Sequence, residues 1–204
     1  MKKRNLCIFS MAVTVAVVAC NNGPNTSAAT STSDQTGNTI TNPTGRVSDT
    51  TLLTGGSNTP LNAQDSTFAM KAAAGGMMEV EAGNAAQQKA QNERVKAFGA
   101  MMVRDHSRSN KELTTVLSSR GMTPPTALPR EHQEHLDALN RTAGNTFDKQ
   151  YMNMMVADHE KTIADFERQA STGTDAALKA FAAKNLPILR IHRDSAVVIN
   201  NAIK

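Results

Sequence analysis

Four residues of this 204-residue chain carry most of its chemical promise: Glu79, His106, His159 and His192. Each falls on the inward stripe of a separate helical segment. Phe98, Met102, Leu113 and Leu117 share the face of His106, because 98, 102 and 106 step by four residues. Met152, Met155, Ile163 and Phe166 do the same around His159, and Ile188, Leu189, Ala196 and Ile199 around His192. Glu79 stands among Ala72, Gly75, Gly76, Gly83 and Ala86, small residues that let helices approach closely and leave a carboxylate partly buried. A buried acid among imidazoles supports two chemistries. The groups can hydrogen-bond to one another, satisfying their polar atoms and fixing helix register. Alternatively, the imidazoles and the carboxylate can bind zinc, iron, manganese or copper. Asp105 and Asp158 each lie about 100° around the helix from the neighbouring histidine. They fit at most as outer partners that hydrogen-bond to ligands.

Other candidates read more plainly. His132 and His135, among Glu131, Glu134 and Asp137, form a solvated polar face. The methionines fill gaps in an aromatic-poor core and need no copper(I). The chain has no Cys-x-x-Cys-His, His-Glu-x-x-His, phosphate loop or Gly-x-Ser-x-Gly. Lys2, Lys3 and Arg4 supply three of its 22 basic residues, so beyond residue 20 there are 19 against 18 acids. That balance offers no basic face for nucleic acid. Two cysteines exclude a disulfide scaffold and a multi-Cys zinc domain.

The elements that position the four residues follow from periodicity and caps. One helix is expected from about Ser66 to Gln91, capped by Asp65 or Ser66, and a second from Glu93 to Arg120, capped by Asn92 and stopped by Gly121. A short helix starts at Pro129 and ends near Gly144. A third long helix covers Thr146 to Ser171. The last segment, Asp175 to Ile203, is expected to break or restart at Pro187. Met101-Met102-Val103-Arg104-Asp105-His106 returns 53 positions later as Met154-Met155-Val156-Ala157-Asp158-His159. This echo suggests two related helix pairs with their histidines facing each other. Four long helices over residues 65–204 suit one bundle with one core.

The start of the chain sets an address. Met1 to Arg4 is basic, Leu6 to Ala19 is apolar, and the run is too short to span a membrane comfortably, which fits a signal peptide over residues 1–19. Val17-Val18-Ala19-Cys20 resembles the lipobox of bacterial lipoproteins. The resemblance implies acylation of Cys20 and, with Asn21 rather than Asp after it, favours the outer membrane over the inner. Three acyl chains make an essentially permanent anchor, so the membrane is the expected partner. Residues 20–64, rich in Asn, Thr, Ser and Gly, bury too little apolar surface to order and read as a disordered tether.

A wider resemblance covers residues 65–200. Phe68, Gly75-Gly76-Met77-Met78-Glu79 and Gly83, then Phe98 and Met102-Val103-x-Asp105-His106, are its first motifs. Phe147-Asp148-x-x-Tyr151, Asp158-His159-Glu160 and Leu186-Pro187-x-Leu189-x-x-His192 complete it. These resemble the exported bacterial family catalogued as domain of unknown function 4142. The resemblance implies an all-α, ferritin-like up-down four-helix bundle with an extra short helix, and no established activity. Di-iron members of ferritin-like folds use Glu-x-x-His. Here Val103 and Val156 precede His106 and His159 by three, so oxygen-activating di-iron chemistry is not expected. Two functions remain: a non-catalytic binding or structural envelope module, or a metal-binding protein using Glu79, His106, His159 and His192.

Overall fold

The structure is a computed structural model that describes residues 60–203. The expected signal peptide, Cys20 and most of the tether lie outside the described residues. Five helices follow in order: α1 (Ala63–Lys89), α2 (Glu93–Ser118), α3 (Arg130–Asn140), α4 (Gly144–Thr172) and α5 (Ala176–Ala202). Among the described residues there is no strand, and no helix is long and apolar enough to cross a membrane.

The helix ends show which capping groups win. α1 starts at Ala63 rather than Ser66, because the Asn62 side chain accepts from the Asp65 N–H at 2.7 Å. Asp65, expected as the cap, lies inside the first turn and faces elsewhere. Asn92 caps α2 as expected, through the Arg94 N–H. Gly121, at φ 68°, turns the chain just beyond it. α5 is one continuous helix, against the expected break at Pro187. Pro187 and Ala183, four residues before it, are both exposed, so the carbonyl that proline leaves without a donor faces water.

Contacts at the two ends of the bundle define its direction. At one end Asn62 meets Thr174, and Arg120 meets Asp175 at 2.8 Å. At the other, Lys89 meets the Asn140 carbonyl, the N–H groups of Gln91 and Asn92 meet Asp148, and Asn200 meets Asn153. α1 and α5 therefore run one way, and α2 and α4 the other. The connection carrying α3 returns the chain along the length of the bundle, giving the ferritin-like arrangement with a single long crossover. α1 packs on α2 and α4, α5 packs on α4 and α2, and α3 lies against α1 and α4. The echoed segments thus sit on α2 and α4, the second helix of one hairpin and the first of the other. They do not mark a tandem copy of one hairpin.

The interior has three levels. One apolar cluster includes Met78, Phe98, Met102, Tyr151, Met155 and Ala196. A second includes Phe68, Leu113, Ile163, Phe166, Phe181 and Leu189. On every long helix one polar residue falls between the two clusters: Glu79, His106, His159 and His192, all buried. Close contact of α1 with α2 keeps the layer narrow. A Cβ built on Gly83 would stand 2.7 Å from the Gly99 carbonyl oxygen, which no side chain tolerates.

Candidate metal centre

The four inward residues meet. His106 Nδ1 lies 2.9 Å from Glu79 Oε2, and His159 Nδ1 lies 3.6 Å from Glu79 Oε1. His159 Nδ1 also lies 2.9 Å from the Met155 carbonyl oxygen, and His192 Nε2 lies 3.1 Å from Asp105 Oδ2. Arg104 holds that aspartate with two 2.9 Å hydrogen bonds. Each imidazole therefore gives one N–H to an oxygen acceptor. The tautomers follow: lone pairs remain on His106 Nε2, His159 Nε2 and His192 Nδ1 whenever the rings are neutral.

One nitrogen from each ring lies within 4.8 Å of those of the other two, and among the described residues this is the one such group of three. His159 Nε2 and His192 Nδ1 stand 3.4 Å apart. Around a tetrahedral ion, with imidazole nitrogens at about 2.0–2.1 Å, neighbouring nitrogens stand roughly 3.3 Å apart. The donor set and spacing suit a divalent ion of the zinc, iron, copper or nickel type.

Electrostatics order the layer. Burial pushes the Glu79 carboxyl up, but the positive character of His106 and His159 outweighs it and holds the group down to about 2. Burial lowers His106, yet the facing Glu79 charge more than reverses this and raises it. Burial depresses His159, and it takes His192, near the His106 charge, down to about 4. In the metal-free layer Glu79 thus favours a proton on His106, while burial disfavours one on His159 and His192.

As a closed hydrogen-bond network the layer is incomplete. Glu79 Oε1 and His106 Nε2 are buried without a protein hydrogen-bond partner. Two imidazole nitrogens that both carry lone pairs face each other at 3.4 Å. A buried polar atom left unpaired costs about 1–3 kcal/mol. A cation at the meeting point would engage His106 Nε2 and both facing lone pairs together.

The expected residues divide clearly. Glu79 meets the Nδ1 atoms of His106 and His159, so it sits on the outer side of these rings, where it orients them. Asp105 reaches across to His192 on α5 rather than to its neighbour His106. Asp158 forms no hydrogen bond to any of the three histidines. It lies half-buried beside α3, and burial together with the Glu79 charge raises it. His132 is half-buried on the same side, not fully solvated as expected, while His135 is exposed. Tyr151, two turns before His159, went unnoticed by periodicity. Its buried hydroxyl has no protein partner, and burial with the nearby Glu79 charge pushes it far above the usual phenol range.

A family model described as "Domain of unknown function (DUF4142)" matches residues 51–199. No curated protein matches the chain. Among solved structures it is similar to the crystal structure of a DUF305 fragment from Deinococcus radiodurans. The TM-score is 0.62 at 11% identity, covering 70% of this chain and 99% of that one. That likeness extends to the helical fold alone.

Proposed function

This chain belongs to the family described as domain of unknown function DUF4142, and within that frame we propose that it is a metal-binding protein. His106, His159 and His192 are the ligands, with Glu79, Asp105 and the Met155 carbonyl as the acceptors that orient them. One observation carries the reading: three buried imidazoles converge while each has its other nitrogen committed to an oxygen, the arrangement that orients histidine around metals. Val103 and Val156 stand where a Glu-x-x-His motif would place carboxylates, so di-iron oxygen activation is not part of this reading. The sequence adds the setting. Acyl chains on Cys20 anchor the protein in the envelope, in the outer membrane, with the residues between Cys20 and the Asn62 cap of α1 as the tether.

The test is elemental analysis of the full chain, purified without chelator or metal-affinity tag. The expected result is about one transition-metal ion per chain, lost in His106→Ala, with a lower melting temperature after EDTA. Trace metal and a melting curve indifferent to EDTA would refute it.

A further inference from the structure

The proposed centre leaves His132, His135 and Asp158 unused, yet all three line one cavity. Between α1, α3 and α4 lies a cavity of about 520 Å³ lined by these three residues and by Glu79. Among the described residues, His132 Nδ1, Asp158 Oδ2 and Glu79 Oε1 are all buried without a protein hydrogen-bond partner, and all three residues line this cavity. Glu79 is only 4% exposed. These are three buried polar atoms at one surface, each without a protein hydrogen bond.

The cavity also leads somewhere. A smaller cavity of about 70 Å³ touches His106 and His192 in the layer. Both are lined by Lys71, Gly75, Glu79, Thr162 and Asp165. A Cβ added at Gly75, which lines both cavities, would meet nothing within 4 Å, so the space beside that residue is open. Along the bundle axis the apolar clusters around Met102 and Phe166 close the layer from both sides.

We propose that the larger cavity is the loading path of the metal centre. A hydrated divalent transition ion is held briefly by His132, His135 and Asp158, sheds water as it passes Glu79 beside Gly75, and reaches the three core histidines. The donors match those of the centre in kind, so the ion never leaves imidazole and carboxylate chemistry. They do not converge as the core histidines do, and Lys71 and Lys161 also line the cavity. Both features make the hold loose, as a transit point requires. This inference rests on the metal-binding reading.

Stopped-flow mixing of the full chain with Co²⁺ alone tests it, following the visible absorption that imidazole coordination gives this ion. A transit point lowers the barrier in both directions. The double variant His132→Ala/His135→Ala and the single variant Asp158→Asn should therefore slow association and dissociation by the same factor, leaving Kd unchanged. Glu93→Gln, an exposed carboxylate on α2, controls for net charge and should change neither rate. His132→Gln/His135→Gln repeats the test with better helix formers at both positions. Wild-type rates in the cavity variants, with Co²⁺ still bound, would overturn the path and spare the centre. A fall in affinity matching the fall in association rate would also overturn it, because the groups would then steer or hold the ion rather than pass it. Failure of the wild type to bind Co²⁺ would sink both readings.

Discussion

Replacing Glu79 by Gln keeps the volume and removes one buried charge, so it isolates what the carboxylate does for the histidines. Glu79 Oε2 is 2.9 Å from His106 Nδ1, and Oε1 is 3.6 Å from His159 Nδ1. In the bound state the carboxylate makes the His106 ring more basic and fixes its orientation. Loss of such an outer partner costs about 10- to 100-fold in affinity, or roughly 1.4 to 2.7 kcal/mol. In the metal-free state the same carboxylate raises His106, so a proton must leave before the ion can bind. Wild-type affinity should therefore fall as pH falls. Glu79→Gln removes the largest cause of that raised pKa, leaving only the charge of Asp105, so its affinity should be lower at pH 8 but less steep in pH. Zn²⁺ competition titrations at pH 6, 7 and 8 read both quantities, with circular dichroism to confirm that the bundle is intact. Equal affinity at pH 8 and an unchanged slope would refute the orienting role and the proton linkage together.

Three further outcomes are expected. Asp65 is fully buried and accepts hydrogen bonds from Gln169, Thr174 and Asp175. Asp65→Ala should cost about 2–4 kcal/mol in urea unfolding, and a cost below 1 kcal/mol would contradict this account. Burial pushes its carboxyl up, but the bonds from Thr174, Gln169 and the backbone of Asp175 outweigh burial and hold it below its ordinary value. With the folded pKa depressed, its contribution is whole above about pH 4 and is lost as pH falls further. Asp65→Asn should flatten that acid limb, and an identical acid transition would argue against the linkage. Finally, Cys20→Ser should move the protein from the membrane fraction to the soluble fraction. A variant that stays with the membrane would contradict acyl anchoring.

What could be read in advance was what depends on spacing within one helix. The stripes through Met102 and His106, through Met155 and His159, and through Leu189 and His192 recur at three and four. Their inward direction therefore needed no knowledge of neighbours. The same holds for Asn92 as a cap and Gly121 as a stop. Interactions between helices were not legible in this way. Spacing puts Asp105 at the edge of its stripe but does not reveal its partner His192, 87 residues away. Asp65 looks like a cap for its own helix and instead serves a turn 109 to 110 residues later. His132 looks solvated because α3 alone does not reveal that Asp158 of α4 lies beneath it, whereas His135 is exposed as expected. Pro187 signals a break in any sequence, and only its exposed position explains why the helix continues. Gly75 and Gly76 look equivalent in the chain, yet Gly76 is pressed against Asn110 while Gly75 faces open space.

The hydrogen bonds of the two buried aspartates have a mechanical meaning. Asp65, at the start of the first hairpin, holds the turn of the second. Asp148, at the start of the second, holds the turn of the first through Gln91 and Asn92. Each half of the molecule is thus a clasp for the other, fastened at opposite ends. Each half also carries half of the polar layer: Glu79 and His106 on one, His159 and His192 on the other. Neither hairpin owns the complete proposed ligand set, so the proposed centre belongs to the assembled pair. Prying the halves apart at either end would dismantle clasp and centre in the same motion.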